Sequence, residues 1–254
     1  MSTNKTTKMK LLLEKHKPGT VCLAQWLVGL GISIDLQKQY CKSGWIESVG
    51  IGAFKRPDDE ISWAGGLYAL QDQAKLPLHV GGPTSLSLLG HAHHFSFEKE
   101  LIFLFSPQKL LPKWFVDYAW QNPIQHIKTI TLPVCVGLES YAEANFTIKI
   151  STAERSILEC LYLTPKYISL VECYQMFEGL ANLRPQILQD LLEQCTSVKI
   201  KRVFMYFMEK KQHAWVPFLD TTRVSLGQGP RTLVKGGVYI PKFKIVIPKE
   251  LAEL

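Results

Sequence analysis

Residues 20–57 read TVCLAQWLVGLGISIDLQKQYCKSGWIESVGIGAFKRP, and the fold of the N-terminal part of the chain turns on this stretch. Thr20 is placed to cap a helix whose apolar face is Val21, Leu23, Ala24, Leu27, Val28 and Leu30, with Gly31 at the C-terminal stop. Ser33 is placed to cap another, with Ile34, Leu36, Tyr40 and Cys41 inward and Asp35, Gln37, Lys38, Gln39 and Lys42 facing solvent, before Ser43 and Gly44 close it. Trp45, Ile46 and Val49, the turn Gly50-Ile51-Gly52, and Ala53 to Arg56 then read as a β-hairpin. Upstream, Met9, Leu12 and Leu13 lie at helical spacing between Lys5 and His16, and Lys17-Pro18-Gly19 ends that run. Helix, helix, glycine turn, helix and hairpin is the order of a winged helix-turn-helix. In such a unit the third helix enters the major groove of a duplex while hairpin cations reach the flanking phosphates.

Downstream, the pattern mixes helices and strands. Trp63, Leu67, Tyr68, Leu70 and Ala74 predict a helix that stops at Leu76-Pro77, and Gly81-Gly82-Pro83-Thr84 opens another through Leu86, Leu88 and Leu89. Leu101 to Phe105 reads as a buried strand, Lys113 to Trp120 as a short helix, and Ile127 to Leu132 as a strand. Ile148 to Ile150 leads into a helix that starts at Ser151-Thr152-Ala153-Glu154, and helices follow over Leu170 to Leu180 and Pro185 to Cys195. Val198 to Met208 fits strand or helix, and strands are expected at Val238 to Ile240 and Lys244 to Ile247. The expected class is α+β: a winged helix-turn-helix over residues 1–96, then a mixed α/β domain over residues 97–254, divided near Ser96 to Glu100.

Composition narrows the function classes. With 254 residues, 46% hydrophobic and 20% charged, the chain is globular in character. No apolar run approaches the ~20 residues that a membrane helix needs. The lysines at 5, 8 and 10 are followed by only Leu11, Leu12 and Leu13 before Glu14, so neither a leader nor an anchor is expected and the cytoplasm is the expected location. None of the six cysteines forms a CxxC unit, which favours reduced, packed thiols over a zinc or redox site. His79, His91, His93 and His94 have no acidic or thiol partner in the same short stretch and read as structural rather than metal-ligating. Gly227-Gln228-Gly229-Pro230-Arg231 lacks the Gly-Lys-Ser/Thr unit of a phosphate loop. Phe103, Phe105, Trp114, Phe115, Tyr118 and Trp120 lie at strand and helix spacing that suits a core better than a base-stacking platform. No nucleophile-base or paired-carboxylate arrangement can be assigned, so no enzyme, metal or cofactor is expected.

The net charge of +7 is unevenly spread. Lys5, Lys8, Lys10, Lys15 and Lys17 face only Glu14 near the start, and eleven Lys and Arg between residues 199 and 249 face only Glu209 and Asp220. Two basic ends around a mildly acidic centre are expected where separate surfaces meet phosphate or an acidic partner. Lys5 and Lys8 are candidate DNA contacts at one end. At the other, Lys199, Lys201, Arg202, Arg223, Arg231 and Lys235 form a candidate cationic patch, presented in part by glycine turns.

Several strings together point to a family. Gly31-Ile32-Ser33, Tyr40, Ser43-Gly44-Trp45-Ile46, Gly50 to Pro57, Trp63, Gly65 to Gln71, Leu76-Pro77, His79 to Gly82, Thr84 and His91 to His93 resemble the N-terminal module of AbiEi-type antitoxins. A sparser likeness continues through the Ser151 to Leu161 helix, Lys210 to Trp215 and the glycine-punctuated tail from Leu226 to Tyr239. The chain departs from the family pattern at Pro83, where a basic residue is usual, and at Gly66, where alanine is usual. The resemblance implies a repressor of its own operon that binds an inverted-repeat duplex and counteracts a cognate nucleotidyltransferase toxin. It also implies recognition-helix contacts by Ser33, Gln37, Lys38 and Lys42 and hairpin contacts by Lys55 and Arg56. Lys38 suits a guanine edge and Gln37 an adenine edge. The alternative is an interaction module that binds a toxin or other partner directly, with DNA binding secondary.

Overall fold

The structure is a computed structural model that describes residues 3–91 and 100–254, with side chains from residue 8 onward. Helix α1 (Thr3–Lys15) leads to a short strand β1 (Cys22–Leu23), then α2 (Ala24–Gly29), α3 (Ile34–Lys42), β2 (Glu47–Gly50) and β3 (Ala53–Lys55). The strands form an antiparallel sheet in the order β1-β3-β2, with Cys22 opposite Phe54 and Ser48 also opposite Phe54. Leu12, Cys22, Leu27, Ile32, Tyr40 and Ile46 are buried together between helices and sheet, and apolar area removed from water holds this small unit together.

Here one expectation is corrected. Thr20 does not cap α2; its hydroxyl donates to the carbonyl of Lys17 at 2.6 Å, and the chain stays extended until Leu23, which is the N-cap. Pairing with β3 outweighs the local helical pattern of Val21 and Leu23, as tertiary context overrides propensity. Gln73 completes the pairing on the far side of β1. Its Oε1 accepts from the Leu23 amide and its Nε2 donates to the Val21 carbonyl, both at 2.8 Å.

Helix α4 (Trp63–Tyr68) continues as one π-helical turn, Ala69–Gln73. Strand β4 (His79–Val80), helix α5 (Gly82–Leu88), β5 (Ile102–Ser106), α6 (Lys113–Asp117), β6 (Ile124–Lys128), β7 (Leu138–Ala142) and β8 (Thr147–Ser151) follow. They build a mixed five-stranded sheet, β6-β5-β4-β8-β7, in which β4 runs parallel to β8 and antiparallel to β5. The two-residue β4 is therefore the central strand. Strand β6 starts upstream of the expected Ile127 to Leu132, and β7 was not anticipated. Residues 92–99, which contain His93, His94 and most of the expected boundary, lie outside those described.

Helices α7 (Ala153–Leu163), α8 (Leu170–Glu178), α9 (Pro185–Gln194) and α10 (Val198–Lys210) surround the largest apolar core. The ambiguous Val198 to Met208 segment is thus helical. Strands β9 (Arg231–Thr232), β10 (Val238–Ile240) and β11 (Ile245–Ile247) form a third sheet before α11 (Lys249–Glu253), and the whole is α+β. Phe103, Phe105, Trp114 and Phe115 are buried, as core residues rather than a stacking surface.

A buried carboxylate ties sheet to helices. Glu159 on α7 accepts from His79 Nε2 at 2.8 Å, Arg155 Nε at 2.8 Å, Ser151 Oγ at 2.7 Å and the Gly82 amide at 3.0 Å. Burial alone pushes this carboxyl up, but the charges of His79 and Arg155 and the bonds from His79 and Ser151 outweigh it and hold the group at about 2. A Cβ on Gly81 would collide with the Glu159 carboxylate.

Two further glycines mark close approaches. A Cβ on Gly66 would run into the Trp120 ring, so Trp120 explains why alanine is absent from this position. A Cβ on Gly65 would collide with the Gly19 carbonyl oxygen, where backbone meets backbone and neither side can rotate away. Gly29, by contrast, has open space around its Cβ position. Gly65→Ala is expected to cost at least ~2 kcal/mol, lowering Tm by several degrees. Gly29→Ala is expected to be neutral or to stabilise by up to ~1 kcal/mol. Thermal melts of the two variants check the pair, and equal melting temperatures would contradict the Gly19–Gly65 packing.

Candidate nucleic-acid interface

Ser33 starts α3: its Oγ accepts from the Leu36 amide at 3.4 Å. Asp35 in the first turn suits the positive end of the helix, and Lys42 in the last turn suits the negative end. The helix is held from behind by Gln37, which is 2% exposed and whose Nε2 donates to the carbonyls of Ala24 at 3.0 Å and Ile32 at 2.9 Å. That corrects the expectation that Gln37 faces solvent. With Tyr40 it forms the inward stripe, and Ile34, assigned to the core, is instead exposed. Ile34 lies in the first turn of α3 on the same side as Gln37 but is left uncovered, while Gln37 one turn on is packed against α2 and the preceding turn.

The outward face carries Ser33, Ile34, Asp35, Lys38, Gln39 and Lys42. Lys38 Nζ lies 3.3 Å from Asp35 Oδ1, with both side chains largely exposed, a pairing weak enough to yield to a phosphate or base. Lys42 is exposed and has no ion pair among the described residues. A cleft of about 490 Å³ separates α3 from the hairpin and is lined by Ala24, Ile34, Cys41, Lys42 and Phe54 among others.

The hairpin differs from expectation. Lys55 Nζ donates to the carbonyls of Pro57 at 3.1 Å and Asp59 at 3.0 Å and pairs with Glu47 at 3.1 Å. Arg56 Nη2 donates to the carbonyls of Leu13 at 2.9 Å and His16 at 2.7 Å at the end of α1. Both cations, expected as duplex contacts, therefore brace the hairpin against the rest of the unit. Its tip is Ile51, 89% exposed. Exposed Ile51 and Trp45 were not singled out from the sequence, although an apolar residue between two glycines at a turn was a visible signal.

At the N-terminus, Lys8 Nζ donates to the Gly31 carbonyl at 2.6 Å and so pins α1 to the turn before α3. The Lys5 side chain lies outside those described. The C-terminal patch is also much reduced. Arg202 is 2% exposed and donates to the carbonyls of Leu226, Gly227, Gly229 and Lys244. Lys201 is buried, and Lys199 Nζ donates to the carbonyls of Tyr162 and Thr164. Arg223 is exposed but paired with Glu193 at 2.9 Å. Arg231 and Lys235 remain exposed. The basic cluster at 199, 201 and 202 resembled a surface, but helical winding turns Lys201 and Arg202 inward, where the glycine-rich loop supplies carbonyls to Arg202, and Lys199 is held by the carbonyls at the end of α7.

No group of metal-ligating side chains is found among the described residues, and His79 is bound to Glu159. The six cysteines are unpaired; Cys135 is exposed and so departs from the expectation of packed thiols. Among the described residues, no helix is long and apolar enough to cross a membrane.

A capped, outward-facing helix after a tight turn, beside a hairpin, places the N-terminal part among helix-turn-helix-like units. Residues 5–97 match the family described as transcriptional regulator, AbiEi antitoxin N-terminal domain, and residues 99–248 match transcriptional regulator, AbiEi antitoxin, Type IV TA system. The chain belongs to the AbiEi antitoxin family of transcriptional regulators of type IV toxin–antitoxin systems. A solved structure, the RV2827C protein from Mycobacterium tuberculosis, is similar in fold, with a TM-score of 0.56 at 13% identity over 96% of this chain and 91% of that one. No curated protein matches the chain by sequence.

The junction between α1 and β1 has a titratable centre. His16 Nε2 donates to the Thr20 carbonyl at 3.0 Å, and burial together with the neighbouring Arg56 guanidinium lowers its pKa to about 4. Folding thus favours the neutral ring: the stability it provides is complete above the unfolded value near 6.5 and is lost as pH falls from there towards 4. Between pH 7.5 and 4, the stability of the parent chain relative to His16→Gln is expected to shrink by roughly 3 kcal/mol. Denaturant melts of both proteins at several pH values measure this, and a constant difference would refute it.

Proposed function

We propose that the chain is a DNA-binding antitoxin that represses the operon encoding it and counteracts a nucleotidyltransferase toxin. A winged helix-turn-helix within residues 1–96 binds the operator, and residues 97–254 serve the antitoxin role. The observation that carries this reading is α3: capped by Ser33, locked from behind by Gln37, and presenting Lys38 and Lys42 outward. A helix presented in this way fits the major groove. Membership of an antitoxin regulator family supports the same reading. Ser33 stands at the start of the groove-facing helix. The hairpin contributes shape through Ser48 and Ile51 rather than charge, since Lys55 and Arg56 are held internally.

Contact with a toxin falls to the C-terminal sheet. Arg231 and Lys235 are exposed there, near Val238 and Tyr239, which are also exposed on β10. Cations beside apolar groups suit a protein surface with acidic and apolar character.

Lys42→Ala and Lys38→Ala are each expected to weaken binding to the inverted-repeat duplex upstream of the gene, while toxin neutralisation survives. Loss of a base contact by Lys38 corresponds to ~1 to 3 kcal/mol of discrimination, and loss of a phosphate contact by Lys42 lowers the salt slope by about 0.9. Gln37→Ala is expected to reduce thermal stability. Fluorescence anisotropy at two salt concentrations, paired with melts, separates these effects. Failure of the parent chain to bind that duplex at low salt removes the repressor reading.

A further inference from the structure

A second concavity lies away from α3, in the five-stranded sheet. It encloses about 360 Å³ beside β4, β5 and β8, and its lining includes Gln71, His79, Cys135, Leu138, Lys149 and Arg155. That volume falls within the range of small-molecule sites, which are largely apolar with a few placed polar groups. The apolar part here includes Leu76, Leu78 and Val134. Lys149 and Arg155 are cations, and no carboxylate is among the described residues lining the space.

Arg155 is the informative residue. It is buried, its Nε is bound to Glu159, and its Nη1 donates to the carbonyls of Pro133 and Val136. Nη2 carries no hydrogen bond among the described residues. A guanidinium so firmly anchored on the lining of a cavity, with one nitrogen that makes no hydrogen bond to the described residues, is pre-organised to receive an anion. Lys149 Nζ, bound to Ser140 Oγ at 3.0 Å, has donors to spare on the same wall.

The cavity is also wired to the N-terminal unit. Gln71 on the π-helical turn donates through Nε2 to the carbonyls of Leu78 at 2.9 Å and Lys149 at 3.1 Å, and its Oε1 accepts from the Lys149 amide at 2.8 Å. Two residues on, Gln73 holds the backbone of β1, the strand that enters α2. One π-helical turn therefore grips the cavity wall with one glutamine and the helix-turn-helix-like unit with another, and such turns recur at functional sites.

We propose that this cavity binds a small organic anion, its charged group on Arg155 Nη2 and Lys149 and its apolar body against Leu78, Val134 and Leu138, and that occupancy alters duplex binding through Gln71 and Gln73. The site stands on its own geometry; the coupling rests on the DNA-binding reading above.

Cys135 is a built-in reporter, exposed and on the cavity wall, while the half-buried Cys41 lines the separate cleft beside α3. The experiment alkylates the full chain with iodoacetamide in the presence of hexanoate, benzoate or inorganic phosphate and follows each cysteine by mass spectrometry. Hexanoate or benzoate is expected to slow modification of Cys135 fivefold or more and leave Cys41 unchanged. Val134→Trp, which fills the space from a partly exposed position, and Lys149→Met are expected to abolish protection in chains that still melt cooperatively. Protection by none of the three probes, equal protection by inorganic phosphate, or protection retained in Val134→Trp overturns the site. For the coupling, the protecting anion is expected to change duplex affinity at least fivefold, within the usual range of linkage between sites. Gln73→Ala, which lies outside the cavity lining and loosens only the hold on β1, should remove that change but keep Cys135 protected. An affinity unmoved by a protecting anion overturns the coupling. A chain that binds no duplex at all fails the DNA-binding reading instead, and Cys135 protection still decides the site.

Discussion

The carboxylate of Glu159 is the group on which the larger part of the structure depends. Its four donors come from strand β4, the start of α5, the end of β8 and the preceding turn of α7. A buried charge without partners is costly, and removal of one partner from a buried pair costs several kcal/mol. The central strand β4 is only two residues long and cannot secure its place by ladder hydrogen bonds alone. His79 supplies what the ladder lacks by reaching through to α7. The close approach of Gly81 to the same carboxylate shows how little room remains around it.

Because β4 follows the π-helical turn, the position of the sheet is transmitted to the N-terminal unit along a short covalent path. Gln71 and Gln73 act there as substitute backbone, each offering an amide to both a donor and an acceptor. Side-chain amides can do this because they carry the same donor and acceptor pair as a peptide. The N-terminal unit is therefore joined to the central sheet through polar bonds as well as the apolar cluster that includes Val21, Leu67 and Val80.

Much of this was legible in the residues. Alternating and helical spacing located α3, α8, α9, β5, β10 and β11 within a residue or two, because each has a strong apolar period and a cap or breaker at its ends. Strands β1 and β4 were not legible: two residues carry no period, and both owe their extension to partners more than twenty residues away. The family strings could be quoted at sequence level, yet the reason for Gly65 in one of them is spatial, since it answers to Gly19. Gly66, where the chain departs from the family pattern, answers to Trp120, and neither pairing leaves a local trace.

The cations show the same limit in a sharper form. Charge counted along the chain treats every Lys and Arg as available to a phosphate, but a guanidinium has five donors and a protein has many loops with unfilled carbonyls. Arg202 gathers the carbonyls around Gly227 and Gly229, Arg56 closes the end of α1, and Lys55 closes the base of the hairpin. Each satisfies backbone carbonyls that no regular ladder uses. The basic ends of the chain are thus basic partly for structural reasons. Of the cations singled out as contacts, Lys38 and Lys42 on α3 and Arg231 and Lys235 near β9 stay exposed. Cations set on one face of a capped helix can orient a duplex, whereas charge spread over a surface only attracts it.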